Sequence, residues 1–183
     1  VFGDHPFIAE NTVAPILRDA RLATIWEGTT GIQALDLLGR KVVGGKAAAL
    51  DEMAGQIDVF CDRVAHDRDL ARFAARLRDR TREWRDLTGA LIAKAAADKE
   101  EIGAASYDYL MYSGYVLLGY FWGLLAEAAL RKSCEEPSWH GFCRAKLASA
   151  EFYFSRILPR TATHMACMLS GASTLVVGEE ATS

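Results

Sequence analysis

The sequence predicts an all-α fold of about six helices, from three observations. Apolar residues recur at three- and four-residue steps through most of the chain, as they do along one face of an α-helix. The stretches between these periodic segments carry helix-ending residues, such as Gly44-Gly45 and the turn around Pro137. With 183 residues, 51% hydrophobic and 25% charged, the chain can bury one sizeable core, or one domain with a fragment of another.

The first two predicted helices are joined by a sharp corner. The first runs from about Thr12 to Trp26, with Pro15 in the opening turn where proline is tolerated, and its apolar side consists of Ile16, Leu17, Leu22 and Ile25. Gly28 permits the turn, and the second helix, from Gly31 to about Val43, is predicted to bury Ile32, Leu35 and Leu38. The Gly-Gly pair that follows predicts a boundary between a first domain, 1–45, and a second, 46–183.

The third and fourth helices are predicted over residues 47–66 and 69–98, where one apolar seam continues. The seam consists of Leu50, Met53, Ile57, Phe60, Val64, Leu70, Phe73, Leu77, Trp84, Leu91 and Ala95, with Thr81 and Thr88 in its remaining positions. Eight arginines lie between Asp62 and Asp86, but six acids are interleaved with them, which leaves a balance of +2. This pattern favours a solvated face with i, i+4 ion pairs over a nucleic-acid interface.

The fifth helix, from about Ile102 to Cys134, is the most apolar part of the chain. Residues 109–126 carry no charge, and this run touches the lower limit for a membrane span of roughly 17 to 25 residues. Asp108 and Glu127 bracket it and its tyrosine hydroxyls need partners, so a buried helix is preferred and no membrane span is predicted. Three glycines permit close helix approach, inside a bundle or at a subunit interface: Gly114, Gly119 and Gly123.

The last helix, from about Trp139 to Leu169, follows the candidate N-cap Ser138 and should kink at Pro159. Its apolar side consists of Leu147, Phe154, Ile157, Leu158, Met165 and Met168. His140 and His164 have no acid or cysteine at catalytic spacing and are predicted to be structural. The four cysteines form no metal-like pattern, so no metal site is predicted and the thiols should be reduced and packed as small apolar groups.

The charge balance and the N-terminal residues exclude several classes of protein. A formal net charge of -3 argues against a generic polyanion binder, including a nucleic-acid partner. The first residues do not resemble a secretory signal, so a cytoplasmic location is expected. The chain begins at Val1 without a methionine, which suggests the C-terminal piece of a larger polypeptide.

One stretch carries candidate chemistry, R-D-A-R-L-A-T-I-W-E-G-T-T-G-I-Q-A-L-D, from Arg18 to Asp36. Glu27 lies at the end of the first helix, and Thr30 with Gln33 matches an S/T-x-x-E/Q capping box that begins the second. The second helix would point its unpaired N–H groups and positive dipole end into the corner, where they suit an anionic group such as a phosphate. The same residues are also compatible with a simple turn between two helices.

The corner resembles the one that closes the catalytic domain of acyl-CoA dehydrogenases, where an R-D-A-R helix runs into I-Y-E-G-T. Here the motif reads Arg18-Asp19-Ala20-Arg21 and Ile25-Trp26-Glu27-Gly28-Thr29, with tryptophan at the usual tyrosine position. The continuation G-I-Q-A-L-D-L-L-G-R-K-V, residues 31–42, is similar to the branch whose members carry an extra C-terminal helical domain. The N-terminal G-D-H-P-F departs from the family's Gly-Gly loop near the flavin.

The resemblance implies a fold, a reaction and a set of roles. Residues 1–45 would complete a helical catalytic domain begun upstream, and residues 46–183 would form an appended four-helix bundle. Glu27 would be the base that removes the α-proton of an acyl-CoA thioester, with its backbone N–H as one donor to the thioester carbonyl. Gly28 would line the acyl channel, and Thr29, Thr30 and Gly31 would contact FAD.

The expected partners follow from the same resemblance. They are the acyl-CoA substrate, the upstream flavin-binding domains of the parent protein, and further copies of the chain in a homo-oligomer. The first two helices should expose apolar surface, and the chain alone should neither hold flavin nor turn over acyl-CoA. Two alternatives stay open: a non-catalytic helical assembly or dimerisation module, and the small subunit of a split dehydrogenase.

Overall fold

The computed structural model describes residues 13–23 and 29–175, and over these ranges the chain is helical without a strand. The all-α prediction is therefore confirmed. The helices are α1 (Val13–Leu22), α2 (Thr30–Leu35, continuing as a π-helical segment, Asp36–Val43), α3 (Ala48–Arg63), α4 (Ala71–Ala97), α5 (Glu100–Glu135), α6 (His140–Phe152) and α7 (Thr161–Leu169). A short 3-10 turn, Pro137–Trp139, precedes α6.

The segment between α6 and α7 explains why the last predicted helix is divided. A π-helical turn, Tyr153–Ile157, is followed by a 3-10 turn, Leu158–Arg160, that contains Pro159 as its second residue. Proline has no backbone N–H and its ring clashes with a continuing α-helix, so the helix ends and restarts here. The predicted kink at Pro159 is confirmed.

Helix α5 is the centre of the fold, because α2, α4, α6 and α7 all pack against it and α3 packs against α4. The predicted seam is buried throughout α3 and α4, apart from Met53, which is half-buried. Thr81 and Thr88 are also buried, and each hydroxyl donates to the backbone carbonyl four residues earlier, so neither hydroxyl is left without a partner in the core.

Two glycines of α5 let neighbouring helices approach closely. A Cβ at Gly123 would lie 2.8 Å from two ring atoms of Phe60, and one at Gly119 would lie 3.4 Å from the Cδ1 of Leu77. These positions answer the open question about Gly119 and Gly123: both serve packing inside the bundle. Gly114 differs, since a Cβ there would meet no atom of the described chain within 4 Å.

The tyrosine hydroxyls near the core find the partners that a buried helix requires. Tyr109 and Thr88 share a hydrogen bond of 2.9 Å, and the Tyr112 hydroxyl lies 2.6 Å from a carboxylate oxygen of Glu83. Tyr153 donates to the backbone carbonyl of Tyr115. In the described part of the chain, α5 alone is long and apolar enough to cross a membrane, a test that a soluble core helix also passes.

The arginine-rich face is paired differently from the prediction. Arg78 binds Asp62 and Arg85 binds Asp58, which joins α4 to α3. Further bridges join α3 to α5 and α4 to α6, through Arg63–Glu127 and Arg72–Glu151. The local pairs within this face are i, i+3 rather than the predicted i, i+4. The prediction failed because folding places acids of neighbouring helices opposite the arginines, which spacing along one helix does not show.

The apolar residues of the first two helices are mostly exposed. Helix α1 has no buried residue, and Ile16, Leu17 and Leu22 are exposed, as expected for a helix whose partner surface lies elsewhere. In α2 the predicted burial of Ile32 and Leu35 is wrong, because the helix packs through a stripe of four-residue steps instead, Ala34, Leu38 and Val42. Helix α2 packs on α5, and the domain boundary predicted at residues 45 and 46 stays a prediction.

Candidate active site

The corner between α1 and α2 is described on its two flanks. Glu27 and Gly28 lie outside the described residues, so their predicted roles stay predictions. Helix α1 ends at Leu22, before the predicted end at Trp26, and α2 begins at Thr30. The exposed flank of α1 carries the charged Arg18, Asp19 and Arg21.

The start of α2 shows how the sequence folds next to Glu27. Thr29 is the N-cap residue, with extended backbone angles (φ -74°, ψ 160°), and its carbonyl accepts a hydrogen bond of 3.1 Å from the Gln33 amide. The side chain of Thr29 makes no capping hydrogen bond to the described turn that follows it. The predicted capping box is wrong in register, because the helix starts one residue early and Gln33 falls beyond the position that a box requires.

The three predicted cofactor contacts lie together at this helix start. Thr29, Thr30 and Gly31 are all exposed, and the first turn of α2 contains no acidic residue. Among the described residues, the nearest atom to a Cβ at Gly31 would be the Thr29 hydroxyl oxygen, at 4.0 Å, so no described side chain crowds the backbone here. Exposed first-turn N–H groups carry partial positive charge, so the arrangement can accept a phosphate or a polyol hydroxyl.

A local ion cluster follows one turn further along α2. Two hydrogen bonds from Arg40, one of 3.1 Å, hold Asp36, and the ammonium of Lys41 lies 3.3 Å from the same carboxylate. The Arg40 guanidinium lowers the pKa of the Asp36 carboxyl below its usual value. The cluster therefore keeps the one acid of this segment paired with cations rather than directed at an anionic ligand.

A histidine–aspartate pair in the bundle was missed by the sequence reasoning. His164 of α7 lies with its Nδ1 2.7 Å from Oδ1 of Asp108 on α5, and both side chains are mostly buried. The statement that His164 has no paired acid is therefore wrong, because the partner lies 56 residues away and chain spacing could not indicate it. Its structural role stays the better interpretation, since no hydroxyl or thiol of the described residues hydrogen-bonds to this ring.

One open hollow on the bundle is lined by arginines that are already paired. It has a volume of about 430 Å³, and the guanidinium groups of Arg76 and Arg80 pair with Ser155 and Glu83. The described ranges contain no group of three or more His, Cys, Asp or Glu side chains placed to hold a metal ion.

All four cysteines are free thiols, and they fall into two classes. Cys61 and Cys143 are buried as expected, and burial raises the pKa of the Cys61 thiol to about 11. Cys134 and Cys167 are exposed, so the expectation that all four pack as small apolar groups is wrong.

Comparison with known proteins identifies the class to which this helical chain belongs. The family model described as acetyl-CoA dehydrogenase C-terminal like matches residues 53–177. The chain is 35% identical over 164 residues to 3-methylmercaptopropionyl-CoA dehydrogenase of Ruegeria pomeroyi, which covers 86% of this chain and 27% of that protein. It is 29% identical to the broad-specificity linear acyl-CoA dehydrogenase FadE5 of Mycobacterium tuberculosis, over 86% of this chain and 27% of the relative.

A third relative reaches further along the chain. Butyryl-CoA dehydrogenase of Syntrophomonas wolfei is 28% identical over 98% of this chain and 30% of its own length. The chain thus spans less than a third of the length of these relatives. It belongs to the acetyl-CoA dehydrogenase C-terminal-like family and is a C-terminal portion of the acyl-CoA dehydrogenase type, so the predicted family is confirmed. The family model does not reach the corner, whose site residues stay predictions.

Proposed function

We propose that this chain is the C-terminal portion of a FAD-dependent acyl-CoA dehydrogenase and supplies its catalytic base, Glu27. The observation that carries the proposal is the corner sequence, R-D-A-R followed by I-W-E-G-T, at the junction of α1 and α2. A butyryl-CoA dehydrogenase aligns with 98% of the chain, which is enough to include this corner. The printed activities of the relatives support an acyl-CoA thioester as the substrate class.

The proposed chemistry of this chain is a proton transfer. The α-proton of a thioester is a weak acid, so its removal at neutral pH needs a positioned base and stabilisation of the developing enolate oxygen. The Glu27 carboxylate takes the proton from Cα, and the backbone N–H of Glu27 donates to the thioester carbonyl. The Cα–H and Cβ–H bonds break, a trans Cα=Cβ double bond forms, and bound FAD supplies the acceptor for the β-hydride.

Gly28 and the start of α2 would shape the site around this base. Gly28 has no Cβ, which leaves room for the acyl chain next to the carboxylate. Exposed Thr29, Thr30 and Gly31 fit a phosphate-bearing cofactor, because the first turn is free of acids and Gly31 leaves its backbone accessible. These residues would hold and orient FAD rather than take part in the proton transfer.

The rest of the site would come from the upstream part of the parent protein. The exposed apolar residues of α1, Ile16, Leu17 and Leu22, suit docking with such a domain. We therefore expect the 183-residue chain alone to purify without flavin absorbance and to leave acyl-CoA unchanged. A yellow sample that bleaches when an acyl-CoA is added would contradict this expectation. The parent is proposed to be a cytoplasmic homo-oligomer.

The decisive experiment is Glu27→Gln in the full-length parent. Loss of the base should lower kcat by about 10²- to 10⁴-fold, while FAD absorbance and acyl-CoA binding stay intact. Exchange of the substrate α-proton with deuterated water, measured by NMR, should fall in parallel because it reports on the base alone. The matched control is Glu52→Gln, which removes an exposed carboxylate of α3. Activity that survives Glu27→Gln nearly intact would exclude the assignment.

A second candidate, the small subunit of a split dehydrogenase, is favoured by the same exposed apolar surface of α1. It shares the chemistry but requires a separate flavin-binding chain. Co-purification of the tagged chain from its native host, followed by flavin absorbance and mass spectrometry, distinguishes the two. A non-catalytic assembly module would bring neither flavin nor a dehydrogenase chain.

A further inference from the structure

The second half of α2 is wound as a π-helix rather than as an α-helix. Over Asp36–Val43 the turns are wider, and the Gly44 amide donates to the carbonyl of Gly39, five residues earlier, at 3.0 Å. The Ala47 amide continues this pattern with a hydrogen bond of 2.8 Å to the carbonyl of Val42. π-Helical segments are rare and are frequently found at functional sites. This segment belongs to the helix that begins at the candidate site.

The turn that follows the π-helix is tightly constrained. A Cβ at Gly44 would lie 2.6 Å from a carbonyl oxygen of the preceding turn, and one at Gly45 would clash with the carbonyl oxygen of Lys41. The next two residues, Lys46 and Ala47, have left-handed φ angles of 50° and 60°, and among the described residues they alone do so without being glycine. Such angles are unfavourable for residues with a Cβ and persist only where the surrounding structure enforces them.

The π winding explains which side of α2 is buried. Ala34, Leu38 and Val42 are buried at steps of four residues. A four-residue step overshoots an α-turn of about 3.6 residues, but it falls short of the wider π-turn. The two drifts around the helix are opposite in direction, so the change of winding keeps the three residues on one side. The direction in which the start of α2 faces therefore depends on the π winding further along the helix.

The side chains of this segment are paired in a way that fits the same winding. The Asp36 carboxylate binds Arg40, four residues later, and lies 3.3 Å from the ammonium of Lys41, five residues later. Positions four residues apart are neighbours on an α-helix, but the fifth residue lies on another side of it. A π-turn brings the fifth residue back beside the first, so the contact with Lys41 is suited to the wider turn.

We infer that the π segment and the turn after it orient the start of α2 in the active site, with Gly44 and Gly45 as positioning residues. This inference rests on the proposed function, because the first turn of α2 carries the proposed FAD contacts and follows Glu27 directly. If the segment were rewound as an α-helix while the buried side stayed in place, the first turn would rotate about the helix axis. The connection that leads back to Glu27 would rotate with it.

Spin labels on the 183-residue chain measure this orientation. In a Cys134→Ser/Cys167→Ser background, which removes the exposed thiols, labels are attached at Ile32→Cys in α2 and Leu118→Cys in α5. Both positions are exposed, and α5 is the central helix on which α2 packs. Pulsed EPR then gives the distance between the two labels, which changes when α2 rotates relative to α5.

Gly45→Ala should shift this distance by several ångström, because the added Cβ does not fit beside the Lys41 carbonyl. The matched control is Gly55→Ala in α3, where a Cβ meets no described atom within 4 Å, and it should leave the distance unchanged. An unshifted distance in a folded Gly45→Ala chain would overturn the inference.

A measurement on the wild-type chain does not depend on how well a variant folds. NMR couplings through hydrogen bonds should join the Gly44 amide to the Gly39 carbonyl. A coupling of the Gly44 amide to the Arg40 carbonyl instead would indicate an α-turn and would also overturn the inference.

Activity of the full-length parent separates this inference from the proposed function. Gly45→Ala should lower kcat and the exchange of the substrate α-proton by about 10- to 100-fold and shift the visible spectrum of bound FAD, whereas Gly55→Ala should change none of them. Wild-type kcat and flavin spectrum in Gly45→Ala, together with an inactive Glu27→Gln, would exclude the positioning role alone. An active Glu27→Gln would exclude the proposed function, and the EPR distance would still decide whether the π segment orients α2.

Discussion

The corner between α1 and α2 carries the candidate site residues, whereas the bundle of α3 to α7 carries the packed core. Every candidate site residue that the structure describes, Thr29, Thr30 and Gly31, is exposed, and α1 buries nothing. In the bundle the large side chains Phe60, Phe73 and others are fully buried. The buried hydroxyls of Tyr109 and Tyr112 form hydrogen bonds with other side chains of the bundle, so they are not directed at a ligand. The difference indicates that the bundle folds on its own core, while the corner needs another surface to become a site.

The largest expected difference between the two regions comes from removing an apolar side chain in each of them. Leu77 of α4 is completely buried, so Leu77→Ala should lower the free energy of unfolding by about 2 to 5 kcal/mol. Leu17→Ala in α1 makes the same chemical change at a residue that is 58% exposed, and should stay within about 0.5 kcal/mol. Urea denaturation of both variants measures the two values. Comparable losses would show that α1 is part of the cooperative core.

The next largest change in the free energy of unfolding is expected at Gly123, where α3 and α5 approach closely. Gly123→Ala would force a Cβ to within 2.8 Å of the Phe60 ring, and the buried ring cannot move away easily. Overpacking of this kind costs about 1 to 3 kcal/mol, against a gain of roughly 0.5 to 1 kcal/mol in helix propensity.

The matched control for this variant is Gly89→Ala in α4, where a Cβ meets no described atom within 4 Å. It should stabilise the protein by about 0.5 to 1 kcal/mol, through helix propensity alone. Thermal unfolding therefore should move in opposite directions for the two variants. If both raise the melting temperature, the contact between α3 and α5 is not tight.

The bundle could be predicted from the sequence because its core follows a local rule. Residues such as Ile57, Leu77 and Leu91 recur at helical spacing, and tertiary packing then buries the face that the spacing already defines. The bounds of the long helices agree with prediction to within a few residues for the same reason.

The long-range pairs could not be predicted, because they depend on which helices become neighbours. Asp108 and His164 are 56 residues apart, and Arg63 and Glu127 are 64 apart. The predicted buried face of α2 was wrong for the same reason, because packing on α5 buries Leu38 and leaves Leu35 exposed. The candidate site was found through its family motif rather than through packing, and the position of Glu27 stays a prediction.

The stability of the bundle should depend on alkaline pH through one buried group, the Tyr112 hydroxyl. Burial, and then the neighbouring Glu83 carboxylate, raise the pKa of the Tyr112 hydroxyl above its ordinary value of about 10. Because the folded-state pKa is the higher one, the neutral hydroxyl contributes stability fully below about pH 10 and loses it as the pH rises further.

Tyr112→Phe should therefore make the alkaline loss of stability shallower, by up to about 1.4 kcal/mol per pH unit above pH 10. Denaturation midpoints measured from about pH 8 to 12 test this slope. Tyr107→Phe, which removes a hydroxyl that is half exposed, is the control and should leave the slope unchanged. An equal effect of the two substitutions would place the alkaline sensitivity outside the core.

The smallest expected effect compares an ion pair of the bundle with one of the corner. Arg63 donates hydrogen bonds of 2.9 and 2.8 Å to the Glu127 carboxylate, and this guanidinium lowers the pKa of Glu127. A lowered folded-state pKa contributes stability above about pH 4.3, which is lost as the pH falls through the folded value. Glu127→Gln should reduce the loss of stability at acid pH by roughly 0.2 to 1 kcal/mol, a small value because the pair is partly solvated. Denaturation midpoints measured as the pH is lowered test this value.

Asp36→Asn is the control and should change the acid dependence of stability less, since Asp36 and Arg40 are only four residues apart and their pair joins no second helix to α2. A larger effect of Asp36→Asn would contradict the division between a corner that carries chemistry and a bundle that carries stability.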